Sequence, residues 1–198
     1  GHTPLLLVDL DPDQNLGEMI GVDLETEGRW TVAELLEDTF IGKGGTMTGL
    51  APSERIEERI WRDGLYEGKG FDFLALGTKW IEGCYCMPDA ALRDALSRIT
   101  RQYAYILIDA PGGLEHLNRR VTADVDEIFD ILGPSGKSFA HLQRARRVAG
   151  ESGIHWGEFS SIGGFMFPEE LGSRAAAFGD IRYLGKVEYD PEVARRVM

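Results

Sequence analysis

Three short motifs hold the residues whose types and spacing suit chemistry. The first is Val8-Asp9-Leu10-Asp11-Pro12-Asp13-Gln14-Asn15, at the end of an apolar run. Two carboxylates two residues apart at a strand end point to the same side, where they suit a Mg²⁺ shell or the orientation of a water. A polar strand exit closed by Pro12 gives the same pattern. The second is Tyr105-Ile106-Leu107-Ile108-Asp109-Ala110-Pro111-Gly112-Gly113. A nucleotide hydrolase uses such a strand, with Asp109 taking a water on Mg²⁺ and Gly112 letting a backbone N–H approach the terminal phosphate. A strand and a turn is the plainer alternative, and the joint occurrence of the two motifs favours nucleotide chemistry.

The third motif is Gly83-Cys84-Tyr85-Cys86-Met87-Pro88. Thiols two residues apart are too close for an easy disulfide, but Cys84 and Cys86 can both reach one soft metal ion. Two ligands are half of a tetrahedral thiolate site, which a two-fold dimer would complete. A pair of half-buried cysteines near a helix start is the alternative. Two further stretches, Gly42–Thr46 and Gly133–Ser138, resemble broken phosphate loops, and neither has the full G-x-x-x-x-G-K-[ST] spacing.

The elements that must position these motifs alternate. Leu5–Val8 is a continuous apolar run of the kind buried on both faces of a parallel sheet. Phe71–Leu76, Tyr105–Ile108 and Ile128–Leu132 have similar lengths, and Phe159–Phe167 and Ile181–Val187 are weaker strand candidates. Apolar residues at spacings of three and four predict helices over Asp89–Tyr103, with Asp89 as its cap, and over Ser138–Ala149, closed by Gly150 and Gly153. Val32–Asp38 is also helical, and Ile41–Ser53 reads as a Gly-rich surface insertion. Strand, helix, strand in repetition predicts an α/β fold, doubly wound around a mainly parallel sheet with helices on both faces, with residues 1–198 as one nucleotide-binding domain. Ligands of such sheets lie beyond the carboxyl ends of the strands, where Asp9, Asp11 and Asp109 fall.

Composition narrows the function classes. The 198 residues carry 21 Lys+Arg against 33 Asp+Glu, a formal net charge of −12, which argues against duplex-DNA binding. Apolar residues at 43% are enough for a packed core, which excludes general disorder. No stretch approaches the roughly 18–20 continuous apolar residues of a membrane span. Two cysteines in one tripeptide make no secreted disulfide framework. The expectation is a soluble, cytoplasmic protein with neither nucleic acid nor membrane as partner.

Asp9-Leu10-Asp11-Pro12, the Asp109–Gly112 motif, and above all Gly83-Cys84-Tyr85-Cys86 followed by Leu114-Glu115-His116-Leu117-Asn118-Arg119-Arg120 together resemble the carbon monoxide dehydrogenase accessory proteins. These CooC-type nickel-insertion ATPases fall within the MinD/ParA group of deviant-Walker-A P-loop NTPases. The resemblance implies roles position by position. Asp11 matches the switch I acid that orients the attacking water, Asp9 the acid before it, and Asn15 lies in the same switch near the metal. Asp109 looks like the switch II acid that holds Mg²⁺ through water, with Gly112 at the terminal phosphate of ATP. Cys84 and Cys86 match the pair that binds Ni²⁺ or Zn²⁺ between two subunits, so the expected partners are a second copy and carbon monoxide dehydrogenase apoenzyme. Glu115 and His116 follow switch II and are kept out of the metal set.

The family opens with a strand and a Lys-Gly-Gly-x-Gly-Lys-Thr loop, whereas Leu5 here aligns with its second strand. The expectation is that the natural protein carries this phosphate-binding unit ahead of Gly1, or that another element fills its place. Where the family's base-recognition region carries an Asn-Arg pair, this sequence has Gly163-Gly164-Phe165-Met166-Phe167-Pro168, and Lys186–Pro191 resembles a later base-contacting loop. The competing functions are a partition or positioning ATPase of the same fold, and a non-catalytic metal-binding or iron–sulfur transfer module.

Overall fold

The computed structural model describes residues 4–11, 13–40, 51–77, 86–110 and 124–197, with backbone alone for 86–91 and 196–197. The chain divides into two compact units, Gly1–Gly113 and Leu114–Met198, each built on its own sheet.

The sheet of the first unit has four strands: β1 (Leu5–Asp9), β2 (Tyr66–Glu67), β3 (Asp72–Ala75) and β4 (Tyr105–Asp109). Their order is β2-β3-β1-β4. β1 pairs in parallel with β3 on one side and β4 on the other, and β2 adds antiparallel to β3. The apolar run Leu5–Val8 forms an inner strand because both its edges are paired and no polar side chain is needed along its ladder. The connections are helical: α1 (Asn15–Ile20), α2 (Val32–Phe40), α3 (Pro52–Arg59), which continues into a wider turn over Ile60–Gly64, and α4 (Cys86–Thr100). α2 starts where Thr31 and Glu34 satisfy each other's backbone. The Thr31 N–H donates to Glu34 Oε2 at 2.9 Å, and the Glu34 N–H donates to Thr31 Oγ1 at 3.4 Å. Leu92, Ala95, Leu96 and Ile99 of α4 are buried, as are Leu35, Leu36, Ile56 and Ile60.

In the second unit β5 (Asp124–Leu132), β6 (His155–Gly163) and β7 (Arg182–Lys186) form a parallel sheet in that order. α5 (Lys137–Glu151) links β5 to β6, α6 (Gly172–Ala176) precedes β7, and α7 (Pro191–Val197) follows it. Phe139, Leu142 and Ala145 of α5 join Leu132, Phe159, Phe167, Ala175 and Ile181 in one core. The edge strands β4 and β5 keep apolar side chains in water: Tyr105, Leu107, Phe129 and Ile131 are all exposed.

The parallel α/β expectation holds, and several expected boundaries change. α4 begins at Cys86, so Pro88 and Asp89 lie inside its first turn and Asp89 is not its cap. Pro88 is tolerated because the first-turn N–H groups have no intrahelical partner. Pro52 and Ser53, read as the end of an insertion, open α3, with Pro52 at its start and the Glu54 carboxylate accepting the Ala51 N–H at 3.0 Å. β5 reaches back to Asp124, and β6 starts at His155 and stops at Gly163. Residues 41–50 lie outside the described residues.

Candidate functional site

Asp9 and Asp109 occupy matching register positions at the carboxyl ends of the parallel neighbours β1 and β4. The ladder continues one step beyond them. The Leu10 N–H donates to the Asp109 carbonyl at 2.9 Å, and the Leu76 N–H donates to the Asp9 carbonyl at 2.8 Å. This fixes the backbone from which both carboxylates project.

The Asp9 side chain is fully buried, and each of its oxygens has a backbone partner. Oδ1 accepts the Asp11 N–H at 2.9 Å, and Oδ2 accepts the Leu16 N–H at 3.1 Å. Asp9 therefore clamps the chain as it leaves β1 to the first turn of α1. Within that clamp Asp11 is half-buried and its Oδ1 accepts the Asp13 N–H at 3.0 Å. The Gln14 N–H closes on the Asp11 carbonyl at 3.0 Å, and Gln14 itself adopts a left-handed backbone, φ 54°. A non-glycine residue there costs about 1 kcal/mol or more, which the Asp9 bonds on either side help to hold. The exposed Asn15 then opens α1.

Three carboxylates at one sheet end strain each other electrostatically. Burial raises the Asp9 carboxyl above its ordinary range; the two backbone donors pull it back, and the nearby Asp109 and Asp11 charges push it further up. Asp109 keeps an exposed surface, yet partial burial at the sheet end raises it too, with the Asp11 charge adding to the rise. A site that disfavours its own negative charges in this way is suited to a cation or to the proton of a bound water. Among the described residues no group of three or more His, Cys, Asp or Glu stands close enough to hold a metal ion without help from water or a ligand.

Thus Asp9, Asp11 and Asp109 come together in the first unit, and Asn15 lies exposed at the start of α1, one residue before the Leu16 N–H that Asp9 holds. Gly112 and Cys84 lie outside the described residues, and Cys86 is described only as the backbone start of α4. The loop Gly133–Gly136 does join β5 to α5, but the hydroxyl of Ser138, in the first turn of α5, is spent on the Gly133 carbonyl at 3.0 Å. In the second unit, the two stretches likened to base-contacting loops meet, with the rings of Phe165 and Tyr189 centred 5.9 Å apart.

Sequence reasoning missed the partners that make Asp9 a clamp, because a backbone N–H seven residues away leaves no mark in residue type. The sign that was present is Gly17. A Cβ there would come 3.0 Å from the Val22 carbonyl, a tight approach, and 3.4 Å from the Phe73 ring, so a small residue suits the close packing of α1 there.

No family model matches the chain. The fold is that of the MinD/ParA P-loop NTPases. A ParA family ATPase from Chlorobium tepidum superposes with a TM-score of 0.63 at 13% identity, covering 100% of this chain and 76% of that one. The septum site-determining protein MinD from Pyrococcus horikoshii, solved with Mg-ADP, gives 0.59 at 19% identity over 99% of this chain and 73% of that one. In sequence, an uncharacterised ATP-binding protein of Methanocaldococcus jannaschii is 29% identical over 194 residues, 96% of this chain and 75% of its own length. The carbon monoxide dehydrogenase accessory protein CooC of Rhodospirillum rubrum is 28% identical over 153 residues, 74% of this chain and 57% of its own length.

Proposed function

We propose that this chain belongs to an ATP-dependent metallochaperone. In this reading a homodimer binds ATP with Mg²⁺ and carries one Ni²⁺ or Zn²⁺ ion as cargo between the Cys84 and Cys86 pairs of its two copies. It then assists nickel insertion into carbon monoxide dehydrogenase apoenzyme. The observation that carries the nucleotide half is the register match of Asp9 and Asp109 with Asp11 held beside them. The ATP-binding relatives and the MinD neighbour solved with Mg-ADP support it. The metal half rests on the Cys-x-Cys spacing and on the similarity to CooC.

The donor set fits Mg²⁺: carboxylate oxygens are its preferred protein ligands, usually reached through water, and the raised Asp9 and Asp109 carboxyls mark a place short of positive charge. Bound with ATP, Mg²⁺ supplies charge neutralisation for the phosphates. Asp109 would hold that ion through a water, and Asp11 would orient the water for attack on the terminal phosphoryl group. Asp9 touches neither, and holds Asp11 and α1 in place through its two backbone bonds.

The test is paired, on the protein expressed from its natural gene. Asp11→Asn should lower ATP turnover by about 100-fold or more while leaving metal content unchanged. Cys84→Ser should remove the metal, expected at one ion per two chains, while leaving basal turnover in place. Undiminished turnover in the first variant removes the role of Asp11, and full metal content in the second removes the cargo site.

A further inference from the structure

A groove of about 1130 Å³ opens in the first unit beside α1, the 21–31 segment and α2, lined by residues from Gln14 to Asp38 together with Phe73. Its floor is apolar: Val22, Leu24 and Phe73 belong to one buried cluster. Its wall carries Trp30, a large ring left 42% exposed. Six carboxylates line the groove with one guanidinium, that of Arg29, which already donates to the Arg62 carbonyl at 2.7 Å, and a second, that of Arg59, lies over the Trp30 ring 5.6 Å from its centroid. Asp38 is paired with Arg59 at 2.7 Å, and Glu34 is held by Thr31. Glu18 and Glu25 have no side-chain hydrogen bond or ion pair among the described residues. The acids alone would be a solvated face. What distinguishes this place is that they surround an apolar floor and an exposed indole.

We propose that this groove docks a basic segment of a second protein, a helix or extended stretch that sets Lys or Arg against the acidic rim and an apolar side chain beside Trp30. Charge complementarity selects the occupant. Two copies joined through this face would set one acidic rim against another, which opposes a self-interface here, apart from the Cys84 and Cys86 pairs of the proposed dimer. A bare divalent cation lacks a compact set of three ligands among the described residues. The basic, partly apolar segment satisfies both the rim and the floor. Gln14 lines the same groove, so the docked segment would touch the chain that leaves Asp11. The inference stands whether or not the site turns over nucleotide.

The probe is a fluorescein-labelled amphipathic peptide of about 14 residues built from Lys and Leu, with a Glu and Leu counterpart as control. Binding is read by fluorescence anisotropy in about 0.15 M salt, with sedimentation of the same samples. The Lys peptide should bind and the Glu peptide should not. Glu18→Gln with Glu25→Gln should weaken binding about tenfold. The equal charge change Glu58→Gln with Glu67→Gln, on the same unit but outside the groove, should alter it less than about twofold. Trp30→Leu, a smaller apolar replacement, should weaken it by about fivefold. Equal losses in the two charge pairs, an unaltered Trp30→Leu variant, or no binding at all would overturn the proposal. So would self-association that the Lys peptide disperses, which would make a second copy the occupant.

Discussion

Asp9 and Asp109 sit side by side at the ends of β1 and β4, yet their surroundings differ: Asp9 is fully buried with a backbone donor on each oxygen, whereas Asp109 is open to solvent. Asp11 adds its charge to both. One acid is therefore structural in its bonding, and the other is free to meet water or a ligand.

That contrast sets the effect of Asp109→Asn. The carboxyl is raised in the folded state, so at low pH both folded and unfolded chains hold the proton and the group contributes nothing. As the pH climbs through the ordinary carboxylate value and then the raised one, the folded chain must give up a proton at a cost. Asp109→Asn removes this cost, discounted because water screens an exposed group. The variant should melt about 1–2 °C higher than the parent near neutral pH, and the gap should close towards about pH 3. Melting curves across that range check it. A constant gap would place the effect elsewhere.

Asp9→Ala should act in the opposite sense. It leaves the Asp11 and Leu16 N–H groups without their acceptor, at roughly 1–3 kcal/mol each if water does not replace it. Relief of the buried charge offsets part of this, so a net loss of about 2 kcal/mol is expected in urea unfolding. Amide exchange at Leu16 should accelerate more than exchange within β3. Equal acceleration in both would mean that the whole unit is loosened and that no local clamp exists.

Much of this site is readable from residue types because of where it lies. Strands paired on both sides need long apolar runs, so Leu5–Val8 marked β1, and a polar residue closing such a run could only be at its end. The helix over Pro52–Arg59 was not readable in the same way. Ile56 is its one buried residue, and with five of the other seven positions charged the segment shows no apolar period of three and four. The division into two sheets was equally hidden, since strand pairing is set by distant partners. The clamp by Asp9 escaped for a related reason, since its partners are backbone groups common to every residue. The Cys84 thiol was placed by spacing and resemblance alone.

Gly77 follows β3 with φ +81°, and a Cβ there would sit 2.5 Å from Thr31 Oγ1 and 2.6 Å from its Cβ. Thr31 cannot swing aside without giving up its bond to Glu34 at the start of α2. Gly77→Ala therefore combines a left-handed backbone with a clash against a helix cap. A loss of about 2–4 kcal/mol is expected by urea unfolding. Adding Thr31→Gly should recover at least about 1 kcal/mol of that loss, although the parent loses stability from Thr31→Gly alone. Strict additivity of the two changes would show that the contact does not matter.

Tyr103 ties the start of β3 to the segment that leads into β4: its Oη donates to Asp72 Oδ2 at 2.7 Å, and its ring stacks on Trp61 with centroids 6.4 Å apart. Burial, followed by the Asp72 bond, raises the phenol well above its ordinary value. Below about pH 10 the phenol keeps its proton in both folded and unfolded chains, and the hydrogen bond contributes in full. Above that pH the unfolded chain ionises and the folded one resists, so this contribution falls as pH rises. Tyr103→Phe retains the stacking surface and removes the bond. It should cost about 1 kcal/mol in urea unfolding near pH 7. By about pH 11 the parent should have lost most of that advantage, because the Phe variant has no phenol to titrate. An advantage that grows with pH would mean that Tyr103 ionises more readily in the folded chain, contrary to its pairing with Asp72.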